Sequence, residues 1–244
     1  QKFFVPIREL AQKYNLLQSA LASSERLFEL LDTQEHIPEP ESPQSIPHPD
    51  QLTIEFDRVW FAYHGENWIL RDVSFTIQPR ERIALVGRTG SGKSTILKLL
   101  QRFYDVHRGA IRINGIDLRE IDLIQWRSLL SMVHQDTFLF QDTVRENITL
   151  GDESWSQEEL ETTSKLVHLD HYLQRYPKTY HHAIAERGAN ISSGEKQLIA
   201  FARANLLRPK LLLLDETNLF KSVCLPISVN YLVYYYFLVI TNCQ

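Results

Sequence analysis

The most informative stretch of this sequence is Gly87-Arg88-Thr89-Gly90-Ser91-Gly92-Lys93-Ser94-Thr95. It satisfies the phosphate-loop pattern G-x-x-x-x-G-K-[ST], directly after a predicted strand over Arg82–Val86 and before a predicted helix over Thr95–Tyr104. Glycines let the backbone of such a loop wrap around phosphates, and the amides and the helix N-terminus face the anion. Lys93 is predicted to reach the terminal phosphates, and the Ser94 hydroxyl to ligate Mg²⁺. The stretch therefore predicts binding of ATP or GTP.

A second candidate site element is the run Leu211–Leu214, which is followed by Asp215 and Glu216. Taken alone, an apolar run before two acids could be no more than the end of a buried strand. Together with the phosphate loop, it predicts that Asp215 lies in the magnesium shell and that Glu216 orients or deprotonates the attacking water.

Strand and helix patterns alternate along the rest of the chain, from about Gln51 onward. This alternation is typical of an α/β fold with a largely parallel sheet. The further predicted elements are strands at Leu52–Trp60 and Val73–Ile77, a strand at Ile111–Ile113 followed by an Asn114-Gly115 tight turn, and helices around Ser156–Val167 and Glu195–Leu207.

The N-terminal segment predicts a long amphipathic helix, because apolar residues recur at three- and four-residue steps from Ile7 to Leu31. Its narrow apolar seam could pack on the helix's own domain or on a partner helix, and we favour the second. Residues 33–50 contain Pro38, Pro40, Pro43, Pro47 and Pro49, a composition that favours an extended linker over a helix.

The bulk composition is that of an ordinary globular protein, with 43% hydrophobic and 23% charged residues. A net charge of -4 argues against nucleic acid as a partner, since proteins that bind nucleic acid carry a basic face. The two cysteines, Cys224 and Cys243, lie near the end of the chain, which fits a reducing compartment without a disulfide framework.

Between the two predicted nucleotide-site elements lies Ile191-Ser192-Ser193-Gly194-Glu195-Lys196-Gln197, followed by Leu198–Ala204. This segment resembles the signature loop and following helix of ATP-binding-cassette (ABC) proteins, with Ser193 and Glu195 in place of the usual Gly and Gln. The resemblance implies that Ser192 and Gly194 contact the γ-phosphate of ATP bound to a partner subunit. The nucleotide site would then be complete only in a dimer.

Two further positions and one turn match the same family. Tyr63 resembles the aromatic residue that stacks on adenine, and Gln135 the glutamine that contacts magnesium and water and reports to the membrane domain. The turn Glu186–Gly188 resembles the exporter loop that contacts coupling helices. Without the resemblance, an isolated Tyr or Gln would indicate nothing, and the turn could be a solvated loop.

The resemblance as a whole implies a P-loop NTPase of the ABC type, with a mixed sheet and a helical signature subdomain, preceded by a long amphipathic helix. It implies a Mg²⁺-dependent ATPase whose partners are a second nucleotide-binding domain and the transmembrane domain of an exporter. The chain would be membrane-associated as part of a full transporter, on the cytoplasmic side. The expected segments are the end of a transmembrane-domain helix (1–32), a linker (33–50), an incomplete nucleotide-binding domain (51–220) and an aberrant apolar tail (221–244).

The sequence departs from the family after Glu216, where the family continues to a strand that ends at a histidine contacting the γ-phosphate. The last histidine of this chain is His182, and an uncharged stretch follows from Ser222 to Gln244. We hypothesise that this tail occupies the place of the missing strand beside the phosphate-loop strand. An alternative function is therefore a truncated module that binds ATP without productive turnover. A P-loop small-molecule kinase is a third possibility, against which the signature-like loop argues.

Overall fold

The computed structural model describes residues 4–33, 37–88, 90–134, 136–176, 178–215 and 236–241. The chain divides into two compact units, Gln1–Pro38 and Glu39–Gln244. The first contains the helix α1 (Phe4–Asp32). Its apolar seam is exposed, with Leu10 at 70% and Phe28 at 61% of full accessibility. Among the helices in the described ranges, none combines the length and apolarity that crossing a membrane requires.

The second unit contains an antiparallel sheet with the strand order β2-β1-β4-β5. Its predicted tight turn is confirmed, because Asn114 and Gly115 have φ angles of 49° and 85°. A two-residue turn between twisted antiparallel strands requires such left-handed values. The strands are β1 (Ile54–Ala62), β2 (Trp68–Ile77), β4 (Arg108–Ile113) and β5 (Ile116–Asp117).

Several strand boundaries differ from the sequence prediction; besides the two described next, β1 ends at Ala62 and not at Trp60, and β4 begins at Arg108 and not at Ile111. β1 begins at Ile54 and not at Leu52, because the amide of Thr53 donates to Oδ1 of Asn114 at 2.6 Å instead of pairing with a strand. β2 begins at Trp68 and not at Val73. The charged pair Arg71-Asp72 interrupts the alternation there, yet the backbone still pairs with β1 across local register shifts.

A second sheet is parallel throughout, with the strand order β3-β8-β7-β6. Its strands are β3 (Arg82–Val86), β6 (Leu130–Val133), β7 (Leu211–Asp215) and β8 (Tyr236–Thr241). The predictions of β3 and of a strand at Leu211–Leu214 are confirmed. β8 pairs with β3 on one side and with β7 on the other, so residues 236–241 of the tail occupy the position that we hypothesised beside the phosphate-loop strand.

The helix after the phosphate loop, α2 (Lys93–Leu100), is shorter than predicted. It ends before Tyr104 because Arg102 adopts a left-handed φ of 51°. The amide of Phe103 donates to the Lys98 carbonyl at 2.9 Å, and that of Arg102 to the Leu99 carbonyl at 2.9 Å. These two bonds form a Schellman motif, which stops a helix even though arginine replaces the usual glycine.

A helical subdomain follows β6 and has its own apolar core. The predicted helices around Ser156–Val167 and Glu195–Leu207 are confirmed within a residue or two. One face of the last helix packs against β6 and β7 through Ala200, Phe201 and Ala204. The helices that follow β6 are α4 (Val144–Thr149), α5 (Gln157–Leu166), α6 (Leu169–Leu173) and α7 (Ser193–Leu206), with 3₁₀ turns at Thr179–His181 and Glu186–Gly188. A 3₁₀ turn at Leu118–Glu120 and the helix α3 (Leu123–Ser128) precede β6.

Part of the predicted linker, from Glu39 onward, falls within the second compact unit. Gln44 exchanges backbone hydrogen bonds with Glu120 and Asp122, at 2.8 and 3.1 Å. Ile46 is 4% exposed and packs in the main core. The prolines of this segment prevent helix formation, but packing of Ile46 in the core attaches the segment to the domain.

Candidate functional site

The phosphate loop leaves β3 at Gly87 and enters α2 at Lys93. Gly92 caps α2 with a φ of 90°, and Gly90 has a φ of 82°. Residues with side chains adopt such angles at a cost, so glycine suits both positions. A Cβ at Gly87 would also lie 2.7 Å from the Ser91 hydroxyl oxygen. The loop backbone is thus tightly wound, as phosphate binding requires.

Lys93 is buried inside this loop, with 7% of its surface exposed. Its Nζ donates to the carbonyl oxygens of Gly87 at 2.9 Å and Arg88 at 3.1 Å. An ammonium group held across the loop by two carbonyls is positioned for an anion that the loop amides also face. Thr89 lies outside the described residues.

Ser94 and Asp215 meet although they are 121 positions apart in sequence. The Ser94 hydroxyl donates to Oδ1 of Asp215 at 3.4 Å. β7 ends at Asp215, and α2 begins beside it after the loop that follows β3. A hydroxyl and a carboxylate are the hard oxygen ligands that Mg²⁺ prefers, so this pair fits a magnesium ion that also binds phosphate.

Tyr63 follows the end of β1 and reaches the same region. Its hydroxyl lies 3.3 Å from the Thr95 hydroxyl oxygen. The half-buried ring makes a T-shaped contact with Tyr104, with centroids 5.1 Å apart, and the Lys98 ammonium lies 5.4 Å from its centroid. The ring is therefore held by aromatic neighbours close to the helix that carries the phosphate loop.

The signature-like segment begins α7 with a capping box. Ser192 is the N-cap, and its hydroxyl accepts from the Glu195 amide at 3.3 Å. The Glu195 carboxylate in turn accepts from the Ser192 amide and from its hydroxyl, both at 2.7 Å. Gly194 lies on the open side of this turn, where a Cβ would meet no atom within 4 Å.

Sequence reasoning missed Tyr176, which completes this cap from 19 positions upstream. Its hydroxyl donates to Oε1 of Glu195 at 3.0 Å, and its ring stacks on His182 at 4.1 Å. Burial of Glu195 acts to raise the pKa of its carboxyl group, but the bonds from Ser192 and Tyr176 outweigh it and the pKa is lowered. No sequence pattern links these positions, so only the fold reveals the contact.

Arg203 is another residue without a sequence signal. Its Nε donates to the carbonyl of Asn147 at 2.8 Å, and Nη1 to that of Phe138 at 3.4 Å. Burial lowers the pKa of this guanidinium. It ties α7 to α4 and to the segment that follows Gln135. Gln135 itself, Glu216 and the tail residues 222–235 with Cys224, together with Cys243, lie outside the described residues.

The expected coupling loop forms the 3₁₀ turn Glu186–Gly188. The side chains of Glu186 and Arg187 are exposed, and the Lys196 ammonium donates to the Arg187 carbonyl at 2.8 Å. This turn is thus linked directly to α7.

We expect Gly92→Ala to destabilise the fold by about 1–3 kcal/mol, since it combines backbone strain with overpacking. The φ of 90° disfavours a side chain, and the new Cβ would lie 2.7 Å from Cδ2 of Leu70, which is buried. Urea unfolding measures the loss. Gly194→Ala is the control, because its Cβ enters open space. Equal stability of the two variants would contradict the strain argument.

We also expect the stabilisation by Glu195 to depend on pH. Its pKa is lower in the folded chain than in the unfolded one, so its contribution is present above the unfolded value of about 4.3 and is lost as the pH falls through the folded value. The difference in unfolding free energy between wild type and Glu195→Gln should therefore shrink on acidification below about pH 4.3. A difference that is constant with pH would show that the carboxylate is not preferentially ionised.

Comparisons with known proteins identify relatives of this chain. The family model described as ABC transporter matches residues 70–218. The fatty acid ABC transporter ATP-binding/permease protein of Mycobacterium bovis is 41% identical over 220 residues, which cover 89% of this chain and 34% of that protein. ATP-binding cassette sub-family B member 6 of Mus musculus is 37% identical over 222 residues, covering 89% of this chain and 26% of that protein.

Solved structures extend the match to the fold. A bacterial Atm1-family ABC exporter with ATP bound aligns with a TM-score of 0.79 and 31% identity, and the alignment covers 98% of this chain and 43% of that one. The chain spans only about a quarter to a third of these two curated relatives. On these matches, the chain belongs to the ABC transporter family and corresponds to its ATP-binding part.

Proposed function

We propose that this domain binds Mg·ATP between its phosphate loop and the signature loop of a second nucleotide-binding domain, and that hydrolysis drives export through a transmembrane domain. Residues 1–32 would join that membrane domain to the linker 33–50 and to the cassette at 51–220, on the cytoplasmic side of the membrane. Relatives whose names pair an ATP-binding part with a permease support this arrangement.

The contact between Ser94 and Asp215 carries the proposal. A hydroxyl at the start of α2 and a carboxylate at the end of β7 lie 3.4 Å apart, beside a lysine that is 7% exposed. Isolated strand ends and loops do not bring a serine hydroxyl and an aspartate carboxylate 121 positions apart together. Ser94 and Asp215 would hold a magnesium ion there, and its charge would stabilise the negative charge that develops in phosphoryl transfer.

The chain's own residues would share the remaining tasks. Lys93 neutralises the terminal phosphates, the loop amides from Gly87 to Thr95 orient them, and Tyr63 stacks on adenine. Gln135 and Glu216 would position the attacking water and accept its proton. Ser192 and Gly194 would serve the nucleotide of the partner domain.

The test is a titration of the full chain with Mg·ATP, followed by measurement of phosphate release. Asp215→Asn should keep part of the affinity for ATP but lose most of the gain that Mg²⁺ gives, since it removes the ligand's charge. ATP turnover by the wild-type chain should exceed that by Glu216→Gln. A folded chain without affinity for Mg·ATP would refute the proposal.

A second candidate, binding without productive turnover, is favoured by one observation. β8 takes the place between β3 and β7, and its residues Tyr236–Thr241 do not include a histidine. A γ-phosphate contact that the family resemblance implies is then missing. Tight Mg·ATP binding with turnover no faster than that of Glu216→Gln would favour this candidate.

A further inference from the structure

The chain contains two capping boxes that use the same residue types. In α5, the Ser156 amide and hydroxyl donate to Oε2 of Glu159 at 3.1 and 3.0 Å. In α7, the Ser192 amide and hydroxyl donate to Oε2 of Glu195, both at 2.7 Å. Such boxes satisfy free amides at helix starts. The box of α5 thus shows what the motif does when it serves only the helix.

The box of α7 differs in its surroundings. Glu195 is buried, whereas Glu159 is only half-buried. The second oxygen of Glu195 accepts from the Tyr176 hydroxyl at 3.0 Å, while that of Glu159 lies 3.3 Å from Nη2 of the exposed Arg208. The buried Glu195 carboxylate thus accepts a hydrogen bond from an additional neutral donor, the Tyr176 hydroxyl, which a simple helix cap does not need.

The hydroxyl of Ser192 has one proton, and it is directed to Glu195. A hydroxyl that donates to a carboxylate cannot donate to a phosphate at the same time. The carboxylate also repels an approaching phosphate through its charge. Contact between the Ser192 hydroxyl and a nucleotide therefore requires that its hydrogen bond to Glu195 break while the carboxylate keeps its other hydrogen-bond donors.

We propose that Tyr176 is a positioning residue that lets the Ser192 hydroxyl turn from Glu195 to the γ-phosphate of a nucleotide on a partner domain. When the Ser192 hydroxyl turns away, the Ser192 amide still donates to one oxygen of the Glu195 carboxylate and the Tyr176 hydroxyl still donates to the other. Without Tyr176, the carboxylate has fewer donors and holds the Ser192 proton more strongly. The stack on His182, with centroids 4.1 Å apart, keeps the tyrosine hydroxyl in place. This inference rests on the proposed function, in which Ser192 meets a partner's nucleotide.

The test compares nucleotide-dependent dimerisation of the full chain by analytical ultracentrifugation, with a non-hydrolysable β,γ-imido analogue of ATP and Mg²⁺. Tyr176→Phe keeps the stacked ring and removes only the hydroxyl, so it should weaken dimerisation about tenfold while affinity of the monomer for the nucleotide stays unchanged. In a Glu195→Gln background, the same change should have an effect below about twofold, because a neutral amide competes less for the serine proton. Glu195→Gln alone should dimerise at least as tightly as wild type.

Glu159→Gln provides the matched control, since it alters the same kind of cap at α5, and it should leave dimerisation unchanged. The inference would be overturned if Tyr176→Phe dimerised as tightly as wild type. It would also be overturned if this change weakened dimerisation as much in the Glu195→Gln background as in wild type. A chain that binds the nucleotide but stays monomeric in every variant would overturn it as well. Failure of the proposed function is recognised separately, as the absence of nucleotide affinity in the wild-type monomer.

Discussion

Replacement of Lys93 by methionine is expected to lower the affinity of the chain for Mg·ATP by about 10- to 100-fold, the range that corresponds to one hydrogen bond to a charged group. The ammonium is already buried in the loop and fixed by the carbonyls of Gly87 and Arg88. Little conformational entropy then remains to be lost when it binds phosphate. Isothermal titration of wild type and variant measures the difference.

Two controls separate charge from geometry in this experiment. Lys165→Met removes an exposed lysine of α5 and should leave the affinity for Mg·ATP unchanged. Lys93→Arg keeps the charge but brings a planar, longer group into a site that is 7% exposed, so it should recover only part of the affinity. Wild-type affinity in Lys93→Met would place the nucleotide elsewhere.

Local sequence patterns predicted the elements around the nucleotide site well, because each pattern determines the backbone conformation of the residues in which it occurs. Glycines wind the phosphate loop, and four leucines form a buried strand that delivers Asp215 to the sheet edge. Carboxyl ends of parallel strands meet at one edge, which explains why residues 121 positions apart, Ser94 and Asp215, come within hydrogen-bonding distance.

Other features depend on contacts that no local pattern encodes. The end of α2 is set by the left-handed backbone of Arg102, a conformation that sequence rules assign to glycine. The link between Tyr176 and Glu195 joins two segments that meet only after the helical subdomain has packed. The place of β8 could be anticipated because the family resemblance implied a missing strand there, and not from the apolar tail itself.

The largest loss of stability is expected for Trp126→Ala, at about 3–5 kcal/mol, the usual range for an aromatic residue removed from a core. Trp126 lies in α3 and is 0% exposed. Its Nε1–H donates to the Leu100 carbonyl at 2.6 Å. This bond satisfies a carbonyl in the last turn of α2, the helix whose first turn carries Lys93 and Ser94. Urea unfolding measures the change.

The neighbouring Ile124 supplies the comparison, because it lies on the same helix but is 83% exposed. Ile124→Ala should change stability by no more than about 0.5 kcal/mol, as surface substitutions usually do. Trp126→Phe restores most of the apolar volume but leaves the Leu100 carbonyl without its donor, so it should still cost about 1–3 kcal/mol. If Trp126→Phe were as stable as wild type, the indole hydrogen bond would contribute nothing and packing alone would hold α3 against the end of α2. If Trp126→Phe is less stable than wild type but more stable than Trp126→Ala, both the indole hydrogen bond and apolar packing hold the C-terminal end of α2, the helix that follows the phosphate loop.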